Sequence, residues 1–259
     1  MCPNSAERDG PRREDLVLVE AGCFPMGCDP GLGDSEQPRC KSDSPLHTVH
    51  LDPYIISKFE VTVEQYAKCV AEEKCTLPNG GDQGFINPYC NWWHTGRDNH
   101  PINCISRAQA AKYCEWENMR LPTEAEWEKA ARGSDQRIYP WGNDDTCDNA
   151  VICKFNMTKP ISSQKTSLDS SHYGVLGMGG NVGEWVHDMY IEDFYEVSTE
   201  ENPLKNPMAP GPQQTRDSVL FRGGSFQDAS PLPTYNRFVG VSTYVRDHTI
   251  GVRCAGDVP

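Results

Sequence analysis

The sequence predicts a disulfide-stabilised fold that mixes short helices with short strands and contains little regular secondary structure. Three segments open with the capping box that begins many α-helices. After Gly133 the apolar runs are short, and Gly, Pro, Asn and Asp recur every few residues. The 259-residue chain also contains twelve cysteines, which suits a fold whose long loops are held by disulfide bonds.

The N-terminal part of the chain predicts a mobile tail followed by strands. Residues 1–15 are polar and form the tail. Residues 16–28 alternate in patches and then turn, which indicates strand structure. A long polar loop follows, and residues 47–62 alternate again, predicting one or two strands. The whole chain is long enough for one large domain or two small ones.

Three helices are predicted, at residues 63–71, 107–117 and 124–132. In each, a hydroxyl side chain accepts a hydrogen bond from a free backbone N–H of the first turn, and the side chain three residues later reaches back. The capping pairs are Thr62 and Gln65, Ser106 and Gln109, and Thr123 and Glu126. Gly133 marks the end of the third helix.

The C-terminal half predicts short strands joined by loops, in the stretches YPWGN, YGVLGMGGNVGEWVHDMY, VLFRGGSF and IGVRCAG. This much irregular chain in a compact domain indicates functional loops, or stabilisation by disulfides and bound ions. Tyr139, Trp141 and Trp185 are expected to pack beneath these loops, and Trp127 is expected in the core, on the apolar side of the third helix.

The charge and hydropathy of the chain exclude several partners. The formal net charge is −13, which argues against nucleic acid or an anionic membrane surface. No apolar run approaches the roughly 20 residues of a membrane-spanning helix. The first residues do not resemble a signal peptide, so either such a segment has been removed or the protein is cytosolic. The high cysteine content favours an oxidising compartment, either outside the cell or in the periplasm.

The cysteine spacing predicts disulfides rather than zinc ligands. The sequence has no CxxC pair, which zinc sites usually contain. Four loosely spaced pairs bracket loops rich in Gly, Pro, Asp or Asn: Cys28–Cys40, Cys69–Cys75, Cys90–Cys104 and Cys147–Cys153. Scattered buried thiols are the alternative, and spacing leaves the connectivity open.

Five motifs together resemble those of a known family. The stretches RLPTEAEWEKAARG, YPWGN, GGNVGEWVHDMY, FRGGSF and IGVRCA occur in the order seen in the formylglycine-generating enzyme (sulfatase-modifying factor) domain. Upstream, GCFPMGC and FEVTVEQYAKCV resemble the opening segments of that domain. The resemblance covers about residues 16–257. It implies a single α+β domain of the C-type-lectin-like kind over residues 16–259, after the tail at 1–15.

The resemblance also implies further cysteine pairs. Cys114 on the second helix and Cys254 in the last strand match positions that the family joins. Cys2 and Cys23 remain and could pair with each other. In an alternative interpretation, Cys2 is the first residue of a mature bacterial lipoprotein and carries a lipid anchor.

The copper site of the oxidase members is altered in this sequence. Those members bind Cu(I) through two cysteines that follow the GGS turn, since soft thiolates suit this ion. The resemblance places these positions at Asp228 and Pro233, while Ser225 is retained. Neither residue supplies a thiolate, so we expect no copper and no catalytic residues of the usual formylglycine-generating type.

The sequence gives little support to other catalytic metal sites. The seven histidines form no HxxxH or HxH pair beside a carboxylate, so a facial triad of ligands is weakly supported. A Ser225, His248 and Asp228 triad has no nucleophile-elbow motif behind it. The resemblance does imply structural Ca²⁺, which oxygen donors bind.

Two candidate calcium sites follow from the resemblance. At the GGNVGEW turn, Gly180 and Val182 would offer carbonyl oxygens and Glu184 a carboxylate. Gly177 stands where the family has Asn and therefore removes one ligand. A second site begins near Asn149 and Ala150. The alternative at the first site is a tight turn in which Glu184 caps backbone amides.

The segment after the GGS turn has the composition of a contact surface. Aromatic residues supply area at low entropic cost, and small polar groups adapt to a partner. The candidate residues are Phe226, Asp228, Tyr235, Arg237, Phe238, Tyr244 and His248. The alternative is an ordinary loop whose aromatic side chains are half-buried.

These observations lead to one functional expectation and two alternatives. We expect an exported domain without the copper site that binds a protein, a peptide or a small ligand, or serves as a scaffold. One alternative is a family enzyme with altered metal-dependent oxidative chemistry. The other is an unusual formylglycine-generating oxidase that recruits Cu(I) through an unpaired cysteine elsewhere.

Overall fold

The computed structural model describes most of the chain. Its described residues are 15–32, 36, 40, 45–78, 87–153, 157–159, 161–162, 164–209, 218–242 and 244–258. The predicted tail, apart from Asp15, and the proposed partner of Cys23, Cys2, lie outside these residues.

Among the residues that the structure describes, the regular structure consists of short strands, four α-helices and two short 3₁₀ turns at Pro30–Leu32 and Asn91–Trp93. The helices are α1 (Val63–Ala71), α2 (Arg107–Trp116), α3 (Glu124–Arg132) and α4 (Gln164–Leu168). The strands are β1 (Leu16–Val19), β2 (Gly22–Met26), β3 (His47–Leu51), β4 (Tyr54–Ser57), β5 (Gly183–Met189), β6 (Leu204–Lys205), β7 (Val219–Arg222), β8 (Arg237–Val241), β9 (Ile250–Gly251) and β10 (Ala255–Asp257). The helices and strands form a single α+β domain, as the family resemblance implies.

The strands form three small sheets within the described part of the chain. Their orders are β1-β4-β10, β2-β3-β6 and β8-β7-β5-β9. Strands β1 and β2 are only two residues apart, yet they enter different sheets. Gly22, with φ of +143°, turns the chain between them. Strands β3 and β4 likewise separate at Asp52 and Pro53, so the stretch at 47–62, predicted to form one or two strands, contains two.

The three predicted capping boxes are all formed. Thr62, Ser106 and Thr123 each accept a hydrogen bond from the backbone N–H three residues later, and the reciprocal side-chain bond is present in each case. Helices α1 and α3 have the predicted bounds, while α2 ends one residue earlier than predicted. A capping box depends only on two residues that lie three apart in the sequence. The local sequence is therefore enough to predict where such a helix begins.

Helix α3 is buried on all sides. All nine of its residues, including Glu124, Glu128 and Arg132, are buried. Trp127 belongs to the core cluster that joins this helix to β2, β3 and β4. A second cluster packs α1 and α2 against β5 and β9, with Trp185 within it. Tyr139 is buried as expected, whereas Trp141 is half-buried.

Five disulfides join cysteines within the described ranges, four at pairs proposed from the spacing and one at the pair that the resemblance implies. They join Cys28 to Cys40, Cys69 to Cys75, Cys90 to Cys104, Cys114 to Cys254, and Cys147 to Cys153. The Cys114–Cys254 bond spans 140 residues and ties α2 to the end of the chain, while the other four close local loops. Among the described residues, no helix is both long and apolar enough to span a bilayer.

Candidate functional site

Two glycine turns lie back to back at the end of β7. A Cβ atom on Gly224 would lie 2.5 Å from the carbonyl oxygen of Gly179, so only glycine allows the two backbones to approach this closely. Gly223 has φ of +85° and lies against Met178 and the Trp127 ring. The GGS turn is therefore fixed by its packing against the GGNVGEW turn.

Asp228 caps the GGS turn. One of its carboxylate oxygens, Oδ2, lies 2.6 Å from the backbone nitrogen of Ser225 and 3.1 Å from the Ser225 hydroxyl, and accepts hydrogen bonds from both. The backbone oxygen of Asp228 accepts from the Cys153 N–H at 2.6 Å. Asp228 is half-buried and Pro233 is buried. The two positions that the resemblance assigns to copper-binding cysteines therefore hold a hydrogen-bonded carboxylate and a proline ring without a ligand atom.

The expectation that Phe226, Tyr235 and Arg237 form part of an exposed surface is wrong. Phe226 is 0% and Tyr235 is 1% exposed, and Arg237 is also buried. The Phe226 backbone N–H donates to the Asn181 carbonyl, which draws the ring inward beneath the turn. Alternation along an isolated loop could not reveal which side faces the core.

The remaining predicted contact residues are more accessible. Tyr244 is 81% exposed. Phe238 is half-buried and stacks on Phe221 with ring centroids 4.5 Å apart. His248 is half-buried and stacks on Tyr89 at 5.2 Å. Of the predicted surface, Tyr244 and the accessible parts of Phe238, His248 and Asp228 remain available to a partner.

A buried ion network supports the segment that follows the turn. Arg222 donates to both Glu124 and Glu128, Arg237 donates to Glu124, and Arg132 donates to Glu128. The side chains of all five residues are at most 5% exposed. The sequence does not predict this network, because the charged residues of α3 have the spacing that is typical of an ordinary solvated helix face.

The network determines the charge state of Glu128. Burial alone would raise the pKa of this carboxyl group, but Arg222 and Arg132 lower the pKa below its ordinary value. Glu128 therefore remains ionised. Removing one partner of such a network would leave a buried charge uncompensated, at a cost of about 3–5 kcal/mol.

Glu184 does not fit its expected role as a calcium ligand. One oxygen, Oε1, accepts two N–H groups of Arg253, at 2.8 and 3.1 Å. The other, Oε2, accepts from Arg253 at 3.0 Å and from the Trp127 indole at 2.7 Å. A carboxylate has about four acceptor directions, so these bonds use them all. The alternative of backbone-amide capping by Glu184 is not observed either.

Two other carboxyl groups near the turn are incompletely bonded. Glu60 Oε1 and Asp169 Oδ1 are both buried and have no hydrogen-bond partner. Glu60 Oε2 accepts from Asn181 at 3.1 Å, and Asp169 Oδ2 accepts from Gly179 at 2.7 Å. Burial raises the pKa of Asp169 to about 7 and that of Glu60 well above its ordinary value.

Glu60 also fills space beside Gly177. A Cβ atom on Gly177 would lie 3.0 Å from Glu60 Oε2, and Gly177 has φ of +77°. The side chain that the resemblance places at this position therefore has little room. Across the described ranges, no group of three or more His, Cys, Asp or Glu side chains has the geometry of a metal site.

The second proposed calcium site lies in a tight disulfide-closed loop. Ala150 is fully buried and Asn149 is half-buried, between the bonded Cys147 and Cys153. The Asn181 N–H donates to the Val151 carbonyl, which joins this loop to the GGNVGEW turn. The two sites proposed from the sequence are thus neighbours in the fold.

The comparisons with known proteins agree with this architecture. A family described as "Sulfatase-modifying factor enzyme 1-like domain" matches residues 3–258. The formylglycine-generating enzyme of Thermomonospora curvata is 29% identical over 308 residues, covering 98% of this chain and 99% of the relative. The resemblance found in the sequence is confirmed.

Two solved structures share the fold. PvdO from Pseudomonas aeruginosa superposes with a TM-score of 0.72 at 22% identity, over 93% of this chain and 94% of that one. Treponema denticola variable protein 1 superposes with a TM-score of 0.67 at 20% identity, over 94% and 95% of the two chains. These identities establish the fold alone. On the family match and the common fold, the chain belongs to the sulfatase-modifying factor enzyme 1-like domain family.

Proposed function

We propose that this protein is an exported member of its family that lacks the copper centre and acts as a binding or scaffold domain. The observation that carries the proposal is the hydrogen bonding of the Asp228 carboxylate. Its carboxylate stands where the resemblance places a copper-binding cysteine, and it is committed to the Ser225 backbone and hydroxyl groups. Pro233, at the second position, has no ligand atom.

The bonding of the cysteine side chains supports the same proposal. Thiolates are the ligands that Cu(I) selects, and among the described residues there is no free cysteine. The five disulfides also favour export into an oxidising compartment. The exposed Tyr244 and the accessible part of His248 give the loop face an aromatic contact region for a partner.

Copper binding tests the proposal directly. The wild-type protein should take up no stoichiometric Cu(I) in a titration against a competing chelator, and it should form no aldehyde on a CxPxR-type peptide in the presence of Cu(I) and oxygen. The double variant Asp228→Cys, Pro233→Cys should gain Cu(I) binding if these positions correspond to the family ligands. Circular dichroism of both proteins controls for folding.

Three results would overturn the proposal. Stoichiometric Cu(I) uptake by the wild-type protein, or aldehyde formation on the peptide, would make it an oxidase. Iron retained at one equivalent after purification would instead favour an enzyme with altered metal-dependent chemistry.

A further inference from the structure

The Cys147–Cys153 disulfide lies near the surface, beside the two glycine turns. Both of its cysteines are half-buried. In three of the other four described disulfides, each cysteine is at most 7% exposed, and in the fourth only Cys40 is accessible. Among the five described disulfides, the Cys147–Cys153 bond is therefore the one in which both cysteines are in contact with solvent.

The loop that this disulfide closes has an outer part and an inner part. In the outer part, Thr146 and Asn149 are half-buried and Asp148 is exposed. In the inner part, residues 150–152 are buried. A thiol must contact a sulfur atom directly in order to reduce a disulfide, so accessible bonds react more readily than buried ones. The outer part of the loop leaves room for this contact.

The inner part of the loop contacts both glycine turns. The Asn181 N–H donates to the Val151 carbonyl at 3.0 Å, and a Cβ atom on Gly180 would lie only 2.9 Å from the same oxygen. The Cys153 N–H donates to the Asp228 carbonyl at 2.6 Å. The disulfide therefore closes a loop that is hydrogen-bonded to the GGNVGEW turn through one residue and to the GGS turn through another.

These hydrogen bonds continue into the GGS turn. The Phe226 N–H donates to the Asn181 carbonyl at 2.9 Å, and the Ser225 N–H donates to the Asp228 carboxylate at 2.6 Å. Cys153 has φ of +58°, in the left-handed region that residues with a Cβ atom rarely adopt. Opening the disulfide would allow Cys153 to leave this conformation and would draw its N–H away from Asp228.

We propose that Cys147–Cys153 is a thiol-exchange site, and that its reduction by an external dithiol loosens the GGS turn. One thiolate of the dithiol attacks a sulfur of the bond, forms a mixed disulfide and releases the other cysteine as a thiolate. The second thiolate of the reductant then displaces the remaining cysteine. The reductant becomes a cyclic disulfide, and the protein gains two electrons and two protons. Neither step requires copper or a partner protein.

Reduction of the native protein tests the exchange site. Cys69–Cys75 is a matched control disulfide, since it closes the same separation of 6 residues but is buried. The protein is treated with dilute dithiothreitol, quenched with an alkylating agent, and labelled with a heavier form of that agent after complete reduction in denaturant. Mass spectrometry should show that Cys147–Cys153 opens about tenfold faster than the control disulfide, and before Cys28–Cys40.

Backbone amide hydrogen exchange tests the effect on the turn. The double variant Cys147→Ser, Cys153→Ser should raise the exchange rates of the Ser225 and Phe226 amides by about tenfold, as expected when about one hydrogen bond is lost. The equivalent double replacement at the control disulfide should leave these two rates unchanged. The selectively reduced wild-type protein should show the same increase, so the test does not depend on a variant that folds.

The proposal fails on any of three outcomes. Reduction of Cys147–Cys153 at the same rate as the control disulfide would exclude a thiol-exchange site. Unchanged exchange at Ser225 and Phe226 in the selectively reduced protein would show that the loop does not restrain the turn. A uniform rise in exchange at all protected amides would indicate global destabilisation instead of a local effect.

Discussion

The long-range disulfide should contribute more to stability than a local one of similar burial. The test replaces both Cys114 and Cys254 with Ala and compares this variant with the matched double replacement of Cys69 and Cys75. All four residues are at most 7% exposed. The packing lost with the sulfur atoms therefore largely cancels between the two variants, which leaves loop length as the main difference.

The expected magnitude follows from chain entropy. The Cys114–Cys254 bond closes a separation of 140 residues and the Cys69–Cys75 bond one of 6. Loop-closure entropy then gives about 5 kcal/mol for the first bond and about 2 kcal/mol for the second at 25 °C. The long-range variant should therefore lose about 3 kcal/mol more free energy of unfolding than the local one.

Guanidinium chloride denaturation, followed by tryptophan fluorescence, measures this difference. The slope of the transition must be fitted for each variant, since loss of a cross-link expands the unfolded chain and raises the slope. A loss in the long-range variant that does not exceed the loss in the local variant would refute the reasoning. The bond would then act through native-state packing rather than through the unfolded chain.

Three further perturbations test the buried groups around the two glycine turns. The pKa of Asp169, raised to about 7 by burial, means that the folded protein holds a proton which the unfolded chain releases. Stability should therefore fall as pH rises from about 4 to about 7, and Asp169→Asn should flatten this slope in urea denaturation at several pH values. Arg253→Met leaves Glu184 unpaired and should cost about 3–5 kcal/mol, whereas a loss below 1 kcal/mol would show that the pair is not buried as described. Gly224→Ala places a Cβ 2.5 Å from the Gly179 carbonyl and should lower stability by about 1–3 kcal/mol; an unchanged melting temperature would contradict the close approach.

Local signals in the sequence predicted a large part of the fold. The capping boxes gave the starts of α1, α2 and α3, because a capping hydroxyl and its partner are only three residues apart. The cysteine pairs that bracket short loops were found for the same reason. The predicted long-range pair, Cys114–Cys254, came from the family resemblance, since no local pattern links residues so distant.

The candidate site was predicted less completely. The GGS turn could be recognised in the sequence, and the family resemblance predicted that Asp228 and Pro233 stand at the two copper-binding positions. The orientation of Phe226, Tyr235 and Arg237 could not, because the segment is irregular and no period distinguishes its inner side from its outer side. The sequence also gave no sign that Arg253 would occupy the acceptor sites of Glu184.

The sequence by itself determined the family, the helix starts and the absence of cysteine at positions 228 and 233, and it suggested the local disulfides without fixing their connectivity. Only the tertiary structure decided which charges are buried together, since Glu184 and Arg253 are 69 residues apart and Glu124 and Arg222 are 98 apart. It alone showed that the rings of His47 and Tyr195, which are far apart in the sequence, stack on each other. The physical reason is the distance along the sequence over which each interaction acts. Capping and turn formation depend on neighbouring residues, whereas burial and ion pairing depend on where distant segments meet.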